Sequence, residues 1–327
     1  MSTEQSAMGG LGLEAGGWDY VEKKPPIPFR VLLGLYKFSR RKPLGAFGAV
    51  LVVLIMAVAI FGPGSVPPRE VFGFGLTVPS PAPYSYKAYK LGEQKLQGPS
   101  WAHPMGTDQL GRDVLSRLLY GAGISVWIGV SVFAITSIQS TLLTLFSAYY
   151  IRSVDLILNR LLEILAFLPD LILLIALFSI YGATPFTMIG TLGVLGGIGT
   201  SRMLRAVVIS LRGLPFIEAS KSIGASDKRI ILRHILPNVA FLIIIGATGA
   251  IAGAVTMEAG LAVIGFGLDP TYPSWGNMMN SSREYLRVAP HMAIFPGLFL
   301  ATTIFGFRLL GDALRDVLDP RLRGGGR

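Results

Sequence analysis

The chain has 327 residues, 51% of them hydrophobic and 15% charged, with a mean hydropathy of +0.57; soluble domains carry about 25% charged residues, so composition argues against a soluble fold. The net charge of +10 comes from basic residues that flank apolar runs, not from a basic stripe on a soluble face, which argues against a nucleic-acid partner. Absence of cysteine excludes disulfides, thiolate metal sites and a cysteine nucleophile.

Long uncharged runs cover 43–68, 118–151, 171–201, 235–257 and 288–307. Most reach the ~20 residues a helix needs to cross ~30 Å of hydrocarbon. They do not alternate as the ~10-residue strands of a membrane barrel would, so spanning helices remain as the way to satisfy the backbone. The expected fold is all-α: a polytopic membrane protein with six transmembrane helices.

In chain order, residues 1–28 form a Gly-, Glu- and Pro-rich tail, and 28–42 mix Phe29, Leu32, Leu33, Tyr36 and Phe38 with Arg30, Lys37, Arg40, Arg41 and Lys42. That pattern suits a helix lying in the headgroup layer. The first span runs from Leu44 to Gly62 and begins too far in, and is too long, for a cleaved signal peptide. Residues 63–104 hold eight prolines and form a non-spanning loop. The second span lies within about 121–149 and the third over about 157–180. A turn at Tyr181–Pro185 leads to the fourth over about 186–211. A polar, basic stretch at 212–237 precedes the fifth span at about 238–260, a Gly/Pro/Trp-rich loop fills 261–289, and the sixth covers about 290–310. The predicted organisation is a tail and interfacial helix over 1–43, a membrane domain over 44–310 with an outer loop at 63–118 and an inner loop at 212–237, and a tail over 311–327. With both termini inside the cell, 21 Lys and Arg fall on the inner side and 8 on the outer, which supports that orientation.

The inner loop carries the most information. Pro215 suits the first position of a short helix, Gly224 its left-handed C-terminal cap, and Ser226 with Asp227 the cap of a second helix. This predicts a helix–turn–helix outside the bilayer with Phe216, Ile217 and Ile223 partly uncovered. Two explanations are open from the residues alone: the apolar face docks in a groove of another protein, or it lies in lipid.

The spacing Glu218-Ala219-Ser220, Gly224, Leu236-Pro237 resembles the E-A-A…G…L-P signature of ATP-binding cassette (ABC) importer permeases, with His234 where that family usually has isoleucine. Three more stretches resemble the dipeptide, oligopeptide and nickel branch, specifically its second, C-type permease subunit. These are His103 to Arg117 before the second span, Gly265-Phe266-Gly267-Leu268 with Pro273-Ser274-Trp275-Gly276 before the last, and Gly311 to Arg323. The resemblance covers most of the chain from about 40 to 323.

It implies a transmembrane permease subunit that forms half of a pathway for di- or oligopeptides across the plasma (inner) membrane of a prokaryote. Phe216, Ile217, Glu218, Ala219, Ser220, Gly224, Leu236 and Pro237 would then couple to an ATPase. Implied partners are a homologous permease subunit in a heterodimer, two ATPase subunits and an extracytoplasmic solute-binding protein that largely sets specificity. ATP and Mg would sit on the ATPases, because no G-x-x-x-x-G-K-[ST] loop occurs in this chain and it is not itself expected to be an enzyme.

Asp170 and Glu163 lie about two turns apart, which on a continuous helix places them on one face. Asp170 lines the solute path, where it would bind a peptide's amino terminus, or belongs to a structural ion pair or a helix end; Glu163 suits a structural role. Arg202 and Arg205 suit snorkelling, Glu258 near the outer end of the fifth span is ambiguous, and His103, His234 and His291 lack metal-ligand spacing. The glycines of 190–199 suit close helix packing. The rival function, a stand-alone ion-coupled secondary transporter, calls for inverted repeats that are not visible, and a membrane hydrolase lacks a G-x-S-x-G turn or a second aspartate for Asp170.

Overall fold

A computed structural model describes residues 38–40, 42–61, 84, 94–145, 160, 162–164, 167 and 169–318. The tail and interfacial helix expected over 1–42, most of the Pro-rich loop, the start of the third span and the end of the C-terminal stretch, 319–323, fall largely or wholly outside the described residues. Chain contacts separate a unit Met1–Arg41 from a unit Lys42–Arg327, and every element below belongs to the second.

The helices in order are α1 (Pro43–Phe61), α2 (Val114–Leu145), α3 (Asp170–Tyr181), α4 (Pro185–Arg212), α5 (Pro215–Ser222), α6 (Asp227–Val263), α7 (Trp275–Ser282) and α8 (His291–Leu318). Among the described residues five, α1, α2, α4, α6 and α8, are long and apolar enough to cross a membrane. The only β-pairing among them is an isolated bridge between Thr107 and Asp113.

α3 has 12 residues, about 18 Å of rise, short of the ~30 Å of hydrocarbon. Its start corrects the expected third span: Pro169 is extended (φ −61°, ψ 124°), so helix begins afresh at Asp170, and Glu163 and Asp170 do not share one continuous helix face. The second span starts earlier than expected because Asp113 caps it, its Oδ2 accepting from the N–H and the hydroxyl of Ser116, each at 2.7 Å. The outer loop therefore ends before 118. The last helix passes residue 310 and runs to Leu318, with Gly311 packed on Thr248.

α2 sits centrally, packing against α4, α6 and α1, while α8 packs against α1 and α6. α1 and α8 cross at Gly48, where a Cβ would lie 2.9 Å from the Leu310 amide nitrogen. α2 and α4 cross at Gly193, Gly196 and Gly197, which face Ile135, Thr136 and Gln139, as the glycine-rich run led one to expect. Thr136 and Thr144 of α2 donate to the carbonyls of Gly193 and Ser201 of α4, both at 3.1 Å. Outward faces of α1 carry Leu44, Phe47, Val50, Val53 and Leu54, an apolar exterior that suits lipid and not water.

Apolar clusters occupy both ends. One joins Leu204 and Val208 of α4 to Ile217 of α5 and to Ile230, Ile231, Ile235 and Val239 of α6. At the opposite end, Trp275 and Met278 of α7 pack with Val114, Leu118 and Ala122 of α2 and Val255 and Ala259 of α6.

Candidate functional site

α5 projects from one end of the bundle between α4 and α6. Pro215 stands in its first turn, where a missing N–H costs nothing, and Glu218 sits near its N-terminus, where a negative charge complements the helix dipole. The helix stops in a Schellman motif: Gly224 takes φ +79°, its N–H donates to the Lys221 carbonyl (2.9 Å), and the Ala225 N–H donates to the Ser220 carbonyl (3.0 Å). Ser226 has the extended backbone of an N-cap, but its side chain makes no capping bond.

The second helix of the predicted pair is not separate. It runs through a π turn at Ile231–Ile235 into α6, so the fifth span starts at Asp227. Pro237 explains the π turn: it offers no N–H to the Arg233 carbonyl, and the Leu236 N–H donates instead to Ile231. The Asn238 side-chain amide donates to the His234 carbonyl at 2.6 Å. His234 places its ring 6.1 Å from that of Phe216, tying α5 to the π turn.

The three apolar residues of α5 do not act alike. Ile217 is fully buried, correcting the expectation that it is uncovered with the others, whereas Phe216 is 42% and Ile223 85% exposed. Helical spacing is the cause: positions 216 and 223 share a face, and 217 is about 100° away from it. Ile217 anchors the helix while Phe216, Ile223, Glu218 and Ala219 stay accessible. Ser220 turns its hydroxyl back on the Phe216 carbonyl (2.7 Å), Leu236 is half-buried against the cluster below, and Pro237 is exposed. An exposed apolar and acidic face on a helix bolted by one buried residue can receive a partner and pass its movement into α4 and α6.

Between α2, α4 and α6 lie two adjoining cavities, of about 390 and 330 Å³, which share Thr136, Thr200, Gly246 and Ala250. Together they form a groove lined by Val132, Leu192, Leu195, Ser137, Ser140, Gly249, Gly253 and Met257, with Asp170 the one charged lining residue among the described residues. The turn before α4 is bonded to the α6–α7 loop (Asp269 N–H to the Ala183 carbonyl, 3.0 Å), and Asp170 stands at the other end of α3, about 18 Å of helix away. Glu163 does not reach this groove; it pairs with Arg160 at 3.2 Å on an exposed surface.

The end opposite α5 is closed by residues 94–117. Asp108 accepts from the N–H groups of Leu110 and Arg112 and pairs with the Arg112 guanidinium (2.6 Å), while His103 Nδ1 lies 2.9 Å from Asp113. His291, at the start of α8, bonds the Thr107 carbonyl at 3.1 Å, so two of the three histidines are structural ties. Among the described residues no cluster of His, Asp and Glu could hold a metal. In the α6–α7 loop the Thr271 hydroxyl and N–H donate to Asp269 (2.7 and 2.9 Å) and hold its carboxyl below the usual carboxylate range.

Sequence reasoning missed the groove, whose threonines, serines and glycines are unremarkable one by one, and left the fully buried Glu258 unassigned.

Residues 140–324 match the model of a family described as "Binding-protein-dependent transport system inner membrane component". The chain is 36% identical over 285 residues to the glutathione transport system permease protein GsiD of Shigella boydii, covering 87% of this chain and 89% of that protein. It is 33% identical over 290 residues to the dipeptide transport system permease protein DppC of Alkalihalophilus pseudofirmus, covering 88% and 89%.

Proposed function

The chain belongs to the family of binding-protein-dependent transport system inner membrane components, as a C-type permease subunit of an ABC importer of the peptide and nickel branch, and from that premise we propose that it forms half of a pathway for small peptides. Subunits of this family are non-catalytic membrane components of importers, which favours this reading over a stand-alone ion-coupled transporter and implies ATPase and binding-protein partners. The other half of the pathway is a homologous permease subunit, and two ATPases hold ATP and Mg. The α5 end and both chain termini face the cytoplasm, in keeping with the 21 to 8 distribution of basic residues.

The accessible face of α5, with Ile217 bolted beneath Phe216 and Ile223, carries this reading. ATP binding draws the ATPases together and shifts α5; because Ile217 is embedded between α4 and α6, these spans rock as rigid bodies and the groove alternates in access. A Phe216→Ala, Ile223→Asp double variant removes the docking face and spares Ile217. Its expected outcome is normal membrane insertion with loss of the copurifying ATPase. Undiminished recovery of the ATPase would refute α5 as the docking element.

We further propose that Asp170 receives the ammonium terminus of the peptide, since among the described residues it is the one charged group lining the groove. A charge-assisted hydrogen bond contributes about 1.5–3 kcal/mol, so Asp170→Asn should slow uptake of peptides with a free amino terminus by roughly tenfold or more while ATP hydrolysis continues. Equal uptake rates would remove this role.

A further inference from the structure

Glu258 lies on α6 five residues before its end at Val263 and is fully enclosed, with 0% of its surface exposed. Its Oε2 accepts from the Ser125 hydroxyl of α2 at 3.3 Å, and Oε1 has no hydrogen-bond partner among the described residues. An enclosed carboxylate with an idle oxygen is costly at membrane depth, a cost that a local source of positive potential offsets. The candidates are few, because the surrounding cluster is apolar: Val255, Ala259, Trp275 and Met278.

The N-terminus of α7 supplies that potential. Ser274, the N-cap residue, accepts from the Asn277 N–H at 3.2 Å and turns its hydroxyl toward the Glu258 carboxyl. The next first-turn amides of α7 have no acceptor within their own helix, and the helix dipole places its positive end there. Gly276 in that turn approaches so closely that a Cβ on it would stand 2.9 Å from Glu258 Oε1 and 2.9 Å from the Ala259 Cα. The idle oxygen therefore lies against the first turn of an eight-residue helix, beside the positive end of its dipole and at a distance only glycine permits.

We propose that Glu258 is a positioning residue: its carboxylate seats helix α7 against α2 and α6, so that the end of the bundle opposite α5 moves as one body. Other contacts depend on the same seat. The Trp275 indole donates to the Leu118 carbonyl of α2 at 3.0 Å, the Asn277 amide gathers the Leu268, Asp269 and Tyr272 carbonyls at 2.9–3.1 Å, and Arg283 ties the far end of α7 to the Val263 carbonyl at 2.7 Å. Tilting α7 would break them together, which makes the seat an all-or-none element and not a soft hinge.

The test uses the complete transporter, in which this chain contributes no cysteine. Met278→Cys places a thiol on the buried side of α7, where Met278 is 5% exposed, and a membrane-impermeant maleimide reads whether α7 has lifted. With Glu258 intact, labelling should be slow. In Glu258→Gln, which keeps shape and loses charge, it should rise about tenfold, as expected for loss of a buried charge–dipole contact. Uptake should fall while the chain still assembles and basal ATP hydrolysis continues, a split that general misfolding would not produce. Should Glu258→Ala fail to accumulate, the Gln variant decides. Unchanged labelling in Glu258→Gln overturns the proposal, as does a loss of basal hydrolysis in proportion to uptake. Because the thiol reports the position of α7 directly, its answer is independent of the solute and of whether α5 meets an ATPase.

Discussion

Gly224 and Ile217 stand a few residues apart and fail in different ways when replaced. A Cβ on Gly224 meets no atom within 4 Å, so the cost of a side chain there is purely conformational, about 1–2 kcal/mol at φ +79° and more for a β-branched residue. Gly224→Val should therefore insert into the membrane normally and lose ATP-dependent uptake, whereas Gly224→Asn, which tolerates the left-handed region, should keep most of it. Uptake by the Val variant at the parent rate would contradict a coupling role for the cap. Ile217→Ala leaves a hole between α4 and α6 worth about 2–5 kcal/mol, and should lower the thermal midpoint of the detergent-solubilised protein as well as uptake. Gly224 was legible from sequence because a Schellman cap is a local device, written within six residues. The burial of Ile217 was not, because the side of α5 that is covered depends on Leu204 and Ile235, which arrive from other helices.

At the scale of elements, length and hydropathy suffice for the long helices, since a run of some twenty uncharged residues has few alternatives in hydrocarbon. Their interruptions were harder to foresee. Pro169 is extended and α3 begins only after it, whereas Pro237 is absorbed into a continuous α6 as a π turn, beside the packed Ile230, Ile231 and Ile235. The helix crossings yield a paired prediction. Gly48→Leu would push a Cβ to 2.6 Å from that of Leu309, an overpacking that typically costs about 1–3 kcal/mol, and should reduce the folded yield. Gly190→Leu, with nothing within 4 Å of the new Cβ, should be tolerated. Equal yields for the two would show that the crossing of α1 and α8 is not tight.

For the whole molecule, the proposed orientation rests on the distribution of charge, and a cysteine-free chain lets it be measured simply. Ser220→Cys on α5 should react only with reagents admitted to the cytoplasm, and Trp101→Cys, on the fully exposed turn before α2, only with reagents outside. The reverse pattern would invert the topology and end the coupling proposal. The sequence by itself determined that the chain crosses a membrane as helices, that a capped helix interrupts the basic inner segment, and which importer branch its motifs resemble. Each of these is a property of a short stretch and its solvent preference. Only the tertiary structure decided that Asp170 borders a groove while Glu163 does not, that Ile217 is a bolt, and that Glu258 meets the end of α7. Those outcomes depend on residues more than a dozen positions apart in the chain meeting across helix crossings, and a crossing is set by the joint shape of two surfaces that no single segment contains.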